Sequence, residues 1–509
     1  MQGLLGLPNE LLILIFDGFG EHELAQLARS CRRLHFCAIQ LYIARYGFQD
    51  PTFLPSVTLS SESPNVLPAL RLSLFPTSIG ILRCKFHQSN FLGEARQLER
   101  LVLKLARLDE LILDFTFVDY WALAFPRKGD AKLFLRHWIE IFEALFSSAL
   151  RKTCSSVKVC GGRLYPAASQ SHGIIGLEET FPWHERTPLL SMFRPGLDPF
   201  REALRLSPLS DPKGGSQLHH TLTRFHIHSS MLLYPTHCLW TIHILNNSPI
   251  TDLSFMRLNL PASNWDNLLS CITVPTLSKL SIDFCNISSV TLSKFLSRHR
   301  HVSTLSLGEG IPYPEYMSSS VMAAFQSLTT LTAPTSYIVQ LLSPISALPQ
   351  LRLLSVNTSV TSLRNLLFYP YPGILNSHRL TADLITSTIA RGVLFSMTLT
   401  IVDDDDLWLD LLVDEGYIGA SHVLYDITRV VVWASPTILS TKMIAQFPVW
   451  LANFPRLQHI AFAMSAEVWE ANRRTVALIQ SIRDKCRNVE FVVLGDVEQR
   501  VSAWLGMRV

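Results

Sequence analysis

The histidines near the middle of this sequence are the side chains best suited to bind a metal ion. His226 and His228 would share one face of a β-strand, and the histidine pair at 219–220 could supply a further imidazole. Phe225 and Ile227, however, would take the inward positions of the same strand. We therefore predict that these histidines point outward and that no metal site forms here.

Three other groups of polar residues match known sites only in part. Residues 403–406 are consecutive aspartates without the glycine and spaced ligands of a calcium loop, so they predict a solvated turn or a contact with a basic partner. Residues 213–216, Lys-Gly-Gly-Ser, do not follow the order of a phosphate-binding loop. Cys154 and Cys160 lack zinc spacing, and the sequence contains neither GxSxG nor HExxH. We therefore predict a protein that is not an enzyme and holds no metal or cofactor.

The composition limits the class of protein. The 509 residues exceed what one hydrophobic core usually serves, so several domains or a long repeat array are expected. Hydrophobic residues make up 48% and charged residues 17%, which is too apolar for a disordered chain. The net charge of +3, without a strongly basic block, gives no indication of nucleic-acid binding. Nine cysteines without a CxxC pair favour a reduced intracellular protein, in the cytoplasm or nucleus.

No membrane association is expected. The apolar run Leu11–Phe16 is too short to span a bilayer, and no Lys or Arg precedes it, as a signal peptide would require. The segment 133–150 is longer, but charged residues interrupt it. It is therefore predicted to be an amphipathic helix packed on protein.

The first fifty residues predict three short helices. Pro8 suits the first turn of a helix, and Asp17 with the glycines after it would end that helix. Further helices are predicted from 21 to about 30 and from 36 to 46. The run at 11–16 leaves the first helix without a polar side, and three short helices cannot cover it alone. This strip must therefore pack on the rest of the chain or bind another protein.

The order of residues in this segment resembles an F-box. The stretches Leu7-Pro8-Asn9-Glu10-Leu11-Leu12 and Ile15-Phe16, then Leu24, Leu27 and Ser30-Cys31-Arg32-Arg33-Leu34, follow that family's pattern. Leu34 departs from the aromatic residue common there, and residues 18–20 form a looser helix end than is usual.

The resemblance covers residues 4–46 and implies binding to a Skp-type adaptor and, through it, to a cullin. Arg32 and Arg33 would form a solvated rim. The residues implied for adaptor binding are Leu7, Pro8, Glu10, Leu11, Leu12, Ile15, Phe16, Leu24, Leu27 and Cys31.

Behind this segment, residues 47–97 are rich in proline and serine and are predicted to be a connector. From residue 98 to 509, the spacing of apolar residues predicts a repeat array. Its clearest copy is Leu277-x-x-Leu280-x-Ile282-x-x-Cys285-x-Ile287, which fits the leucine-rich-repeat signature. In such a repeat the alternating residues form an inward-facing strand, and residues 290–296 would form the outer helix.

Weaker copies of this pattern recur along the chain. They begin at Leu108, Leu222, Ile250, Val302, Leu328, Leu351, Ile427, Leu457 and Cys486, and a further one is predicted near 397–401. A helix near 131–150 would cap a strand at 157–159, and residues 161–215 would be an insertion. The nearly constant spacing favours a solenoid over an ordinary α/β domain, whose strands would be spaced less regularly.

These features together predict an α/β fold, in which a short three-helix F-box precedes a leucine-rich-repeat solenoid with a curved parallel sheet and outer helices. The expected function is a non-catalytic substrate-recognition subunit of an SCF-type cullin–RING ubiquitin ligase. One alternative is a repeat scaffold outside ubiquitination, whose first helices only cap the array. Another is an enzyme with a divergent site in a deep polar pocket.

The repeats would bind an unknown target protein through the exposed side chains of their strands. The candidates are Ser278, Lys279, Ser281, Asp283, His226 and His228.

Overall fold

A computed structural model of the chain describes most of its residues. The described ranges are 6–60, 66–75, 77–87, 91–119, 131–163, 221–233, 235–258, 260, 262–308, 325–342, 348–359, 387–400, 427–433, 441–452, 454–462, 473–494 and 497–500. The chain divides into two compact units, Met1–Leu277 and Ser278–Val509. Helices and parallel strands follow one another in both, so the mixed α/β class is confirmed.

The first unit begins with three helices, α1 Asn9–Asp17, α2 Glu21–Ser30 and α3 Arg32–Ala44. Helix α1 starts directly after Pro8, whose missing N–H is not needed at a helix start. Helix α3 begins earlier than the predicted residue 36, because the extended Cys31 alone separates it from α2. The Cys31 carbonyl already accepts the first helical hydrogen bond from the N–H of His35, at 2.9 Å.

Six parallel strands in sequence order form the sheet of the first unit. They are β1 Phe53–Leu59, β2 Ser78–His87, β3 Arg107–Asp119, β4 Ser156–Arg163, β5 Arg224–His228 and β6 Asp252–Met256. The further α-helices of this unit are α4 Leu67–Leu72, α5 Phe91–Lys104, α6 Ala131–Arg151, α7 Pro235–Asn247 and α8 Ala262–Cys271. Each strand pairs with the next, so the chain advances by one strand at every crossover.

The prediction that residues 47–97 form a connector is wrong, because this segment contains β1, α4, β2 and the start of α5. Proline does not break β1, since β1 is the outermost strand and, within the described residues, pairs only with β2. Opposite Pro55 lies Gly80, where a Cβ atom would stand 2.6 Å from the Pro55 carbonyl oxygen. The strand array therefore begins at Phe53 rather than at residue 98.

The second unit continues the same kind of arrangement. Its strands are β7 Lys279–Asp283, β8 Thr304–Leu307, β9 Thr330–Pro334, β10 Leu353–Ser359, β11 Leu394–Thr400, β12 Ile427–Trp433, β13 His459–Phe462, β14 Phe491–Leu494 and β15 Val497–Arg500. Its helices are α9 Ser289–Arg298, α10 Thr335–Leu342, α11 Thr441–Leu451 and α12 Arg473–Lys485. Strands β7 to β14 pair in parallel and in sequence order, and β15 pairs antiparallel with β14.

The register of the strands confirms most of the predicted repeat spacing. In the second unit, equivalent buried positions on neighbouring strands are occupied by Leu280, Leu305, Leu331 and Leu354. The corresponding row of the first unit is Leu111, Val157, Phe225 and Leu253. Burying such rows against each other removes a large apolar area from water, which is the main force that stabilises the array.

The last predicted copy is displaced. The sequence places its start at Cys486, but the register pairs Ile460 of β13 with Val492 of β14. The equivalent start is therefore Val489. Phe491, which was predicted to face inward, instead pairs with His459, and their rings stack at 4.9 Å.

Helices pack against one face of the strands, and the other face carries the outward strand residues. Trp138 and Phe142 of α6 pack against Phe115 of β3, with ring centroids 5.9 and 5.4 Å apart. On β5, β7 and β9 buried inward residues alternate with outward ones that are half-buried or exposed. We refer to the outward side of the strands as the open face.

Several predicted features fall outside the described residues. Of the insertion predicted at 161–215, only residues 161–163 are described, and they belong to β4. The histidines at 219–220, the segment 213–216 and the aspartates at 403–406 also lie outside. In the part of the chain that the structure describes, no helix combines the length and the apolar character needed to cross a membrane.

Candidate functional site

Helix α1 has apolar side chains on two sides. Leu12 and Phe16 are one turn apart and fully buried. Leu11, Leu14 and Ile15 are exposed by 45%, 70% and 41%. Because these three stand at i, i+3 and i+4, they form one stripe along the helix. We call this stripe the α1 ridge.

Two arginines hold the ends of α1 in place. The guanidinium of Arg33 donates hydrogen bonds to the Leu7 carbonyl and, at 3.1 Å, to Asn9 Oδ1. Arg45 donates to the carbonyl of Asp17 at 2.8 Å, where the last carbonyls of a helix lack partners. Arg33 is thus more than the solvated rim residue that was predicted, because it fixes the chain entering α1.

The three helices also pack on the rest of the first unit. Helices α2 and α3 contact α4, and the Phe36 ring meets the Phe75 ring at 5.0 Å. Between α2 and α3, the Glu21 carboxylate accepts a hydrogen bond from the Tyr46 hydroxyl at 3.0 Å. Burial and this carboxylate both raise the pKa of Tyr46. The helices therefore belong to the same compact unit as the first strands.

The residues predicted to bind an adaptor differ in how far they are buried. Pro8, Glu10, Leu11, Ile15 and Cys31 are exposed, and Leu7 and Leu27 are half-buried. Leu12, Phe16 and Leu24 are fully buried, so they form the core beneath the α1 ridge and cannot contact a partner in this conformation. Leu14 was missed, although it is the most exposed large apolar side chain of the described residues. Its i+3 spacing from Leu11 was the signal that could have identified it.

The open face of the first unit carries polar residues in rows that run across the strands. One row, which we call the basic row, consists of Thr58, Arg83, Ile112, Lys158, His226 and Ser254. The row beside it consists of Lys85, Asp114, Cys160 and His228. Direct pairing brings these residues together from distant parts of the sequence. Sequence reasoning missed Arg83 and Lys158, although their alternation with buried apolar residues was the available signal.

His226 and His228 lie on the open face, as predicted from the inward positions of Phe225 and Ile227, with which they alternate. Their rings stand 6.0 Å apart, and His228 Nε2 lies 3.2 Å from the Ser254 hydroxyl. Burial lowers the pKa of His228 to about 3. The nearby positive charges, of which Lys158 has the largest effect, lower this pKa in the same direction. His228 is therefore a neutral side chain in a positive environment.

The other predicted target-binding residues lie in the second unit. Lys279 is exposed, and Ser278, Ser281 and Asp283 are half-buried. The Ser278 carbonyl accepts the N–H groups of Ser303 and Thr304, at 2.8 and 3.0 Å. Lys279 and Ser281 belong to the open face of β7 and pair with Thr304 and Ser306. The six candidates are thus divided between the two units.

One row contains the residue types of a cysteine-dependent enzyme. Asp114, Cys160 and His228 pair across β3, β4 and β5. Nucleophilic catalysis by cysteine requires a thiolate beside a protonated imidazole. Here burial raises the pKa of Cys160 and lowers that of His228, so both groups favour their neutral forms. Asp114 Oδ1 accepts from the N–H and hydroxyl of Thr116, at 2.9 and 2.5 Å, rather than from an imidazole. The pKa directions in this row therefore do not favour a thiolate–imidazolium pair.

Comparison with known proteins adds no family assignment. No protein-family model matches the chain, and no curated protein matches it. Within the described residues, no group of three or more histidine, cysteine, aspartate or glutamate side chains is placed to hold a metal ion. The residues predicted to bind other proteins, where they are accessible, lie on the α1 ridge and on the open face.

Proposed function

We propose that this chain is a non-catalytic substrate-recognition subunit of an SCF-type cullin–RING ubiquitin ligase. The F-box-like segment 4–46 binds a Skp-type adaptor and, through it, a cullin. The leucine-rich-repeat-like strands bind a target protein. The transfer chemistry belongs to other subunits, and this chain contributes proximity, which makes the reaction effectively intramolecular.

The observation that carries the proposal is the α1 ridge. Leu14 is 70% exposed, although the same helix buries Leu12 and Phe16 completely on its other side. Covering a large apolar side chain stabilises a complex by about 1.5–3 kcal/mol when burial is complete. Leu11, Leu14 and Ile15 are already partly buried, so a partner that covers them gains the part of each contribution that corresponds to the area still exposed.

The F-box resemblance assigns the same helix to the adaptor. The exposed residues Pro8, Glu10 and Cys31 belong to that pattern and lie outside the buried core. The fully buried Leu12, Phe16 and Leu24 support the ridge from below. The proposed adaptor surface is therefore the exposed part of the F-box-like pattern together with Leu14.

The experiment is co-purification of the full chain with a Skp-type adaptor from coexpressing cells. Leu11→Asp combined with Leu14→Asp places two charges on the ridge and leaves the buried core intact, so we expect adaptor binding to be lost. Val290→Asp is the matched control, because Val290 is 60% exposed on helix α9 of the second unit. Binding that survives the double substitution, or that is lost equally in the control, would refute the proposal.

A second candidate is a scaffold protein outside ubiquitination, whose first helices cap the array. The packing of α2 and α3 on α4 favours it, because a cap must contact the layer that it covers. If this candidate is correct, the wild-type chain does not co-purify with a Skp-type adaptor, and the substitutions Leu11→Asp and Leu14→Asp change only its solubility. The same co-purification therefore distinguishes the two functions.

A further inference from the structure

The basic row of the first unit places two unpaired cations on the open face. Arg83 of β2 and Lys158 of β4 each pair through the backbone with Ile112 of β3, which lies between them. Both side chains are half-buried. In the described residues, neither makes a hydrogen bond or an ion pair with another side chain. Among the described residues, therefore, no side chain is paired with either charge.

The field of these cations is felt by neighbouring groups. Burial raises the pKa of Cys160; Lys158 and Arg83 act against this shift, and Asp114 adds to it. Burial lowers the pKa of His228, and Lys158 lowers it further. Arg257, just after β6, and His226 act on His228 in the same direction. The effect of the two cations on these neighbours places a positive potential along the basic row itself.

The charges beside the basic row limit what can bind there. On one side Lys85 alternates with Asp114, and on the other Glu110 and Arg224 occupy the same row. A nucleic acid would place phosphates near these carboxylates as well, and the chain as a whole carries a net charge of only +3. A narrow cationic strip with mixed charge on both sides is better matched to a single extended peptide.

We infer that the basic row binds an acidic peptide segment of a partner protein, with carboxylates on Arg83 and Lys158. These residues lie two strands apart, which is about 10 Å at the usual strand spacing. About three residues of extended peptide cover that distance. The inference rests on the proposed function only in calling this partner the target.

The test measures binding of a fluorescein-labelled peptide of repeating Glu-Gly-Ser units to the full chain, by fluorescence anisotropy. Arg83→Glu combined with Lys158→Glu should raise the Kd by about tenfold or more, since each reversal removes an attraction and adds a repulsion. A peptide of repeating Gln-Gly-Ser units should not bind.

The matched control is Arg96→Glu combined with Arg100→Glu. These arginines are exposed on helix α5 of the same unit, and the net charge changes by the same amount. We expect the control to bind the acidic peptide within about twofold of wild type. Equal weakening of peptide binding in both double variants would show that the attraction is diffuse and would overturn the inference. Failure of the wild-type chain to bind the acidic peptide would also overturn it.

Two further measurements separate folding from recognition and from the ligase function. Arg83→Gln combined with Lys158→Gln neutralises the row without adding repulsion. It should raise the Kd for the peptide by a smaller factor than the glutamate substitutions do, and the circular dichroism spectrum should be unchanged. If even this variant binds like wild type, the basic row is not the site. Adaptor co-purification should be unaffected by these variants, so failure of the adaptor experiment and failure of the peptide experiment are distinguishable outcomes.

Discussion

His35 accepts a hydrogen bond at Nε2 from the backbone N–H of Leu74, at 3.0 Å. Since a backbone N–H can only donate, Nε2 must carry the lone pair, and Nδ1 carries the proton. Nδ1 accordingly donates to the Ala28 carbonyl, at 2.8 Å. One buried imidazole on α3 thus connects α2 to the segment that follows α4, and it does so in a single neutral tautomer.

The first prediction concerns this connection. His35→Phe keeps a ring of similar size but leaves the N–H of Leu74 and the carbonyl of Ala28 without their partner. We expect the free energy of unfolding of the first unit to fall by about 2 kcal/mol, measured by urea titration. Amide exchange at Leu74 should become faster. His22→Phe, the same change at an exposed site on α2, should leave both quantities nearly unchanged. A His35→Phe chain with normal stability would show that the imidazole is dispensable.

A second prediction follows from a buried histidine whose Nε2 makes no hydrogen bond within the described residues. His237 of α7 is 1% exposed, and its ring lies beside those of Trp138 and Phe142, with centroids 6.0 and 5.8 Å away. Burial lowers its pKa to about 4 from the ordinary value of 6.5. Between these values the unfolded chain takes up a proton that the folded chain does not. The contribution of the neutral His237 to the free energy of unfolding is therefore fully present above pH 6.5, and it is lost as the pH falls towards 4.

His237→Phe should remove this part of the pH dependence. The expected change is on the order of 3 kcal/mol between pH 6.5 and 4, obtained from urea titrations at several pH values. His301→Phe at an exposed position serves as the control. An equally steep loss of stability in His237→Phe would mean that other groups cause it.

The spacing of apolar residues predicted most of the strands because their inward positions repeat so regularly. Leu277, Leu280 and Ile282 are all buried, and the predicted outer helix is present as α9. Even the weak copy near residue 397 proved to be a strand, β11. The alternation of apolar and polar residues along each strand determines which side chains point inward, so these positions can be predicted from one sequence alone.

The parts that were mispredicted depend on context that the local sequence lacks. Leu54, Val57 and Leu59 repeat the apolar spacing in β1, but the prolines and serines of residues 47–97 predicted a connector. The prolines are tolerated because β1 is outermost, which is a property of the sheet order. Which side of the apolar run at 11–16 is buried likewise depends on where α3 packs. Because every residue of that run is apolar, helical periodicity could not distinguish the core side from the α1 ridge.

A third prediction compares two glycines with positive φ angles. Gly161 in β4 has φ of +73°, and a Cβ atom there would lie 2.4 Å from the Thr116 nitrogen and 2.7 Å from the Phe115 carbonyl carbon. Gly47, after α3, has φ of +83° but has nothing within 4 Å of the added atom. Gly47→Ala should cost about 1 kcal/mol for the backbone conformation alone, whereas Gly161→Ala adds about 2 kcal/mol for overpacking. Urea titration of the two variants checks this order, and equal costs would contradict the close approach of β4 to β3.

The last prediction tests how α1 is positioned. Arg33 donates to the Leu7 carbonyl and to Asn9 Oδ1, whereas its neighbour Arg32 is exposed and, in the described residues, makes no hydrogen bond. Arg33→Ala should free the start of α1, so that amides of its first turn exchange faster by about fivefold or more, because each lost hydrogen bond contributes roughly 1 kcal/mol. Arg32→Ala removes the same charge and should leave that exchange unchanged. If the α1 ridge binds an adaptor, Arg33→Ala should also weaken co-purification more than Arg32→Ala does, since a frayed helix must be ordered again on binding. Identical exchange in the two variants would show that Arg33 does not position the ridge, whatever the ridge binds.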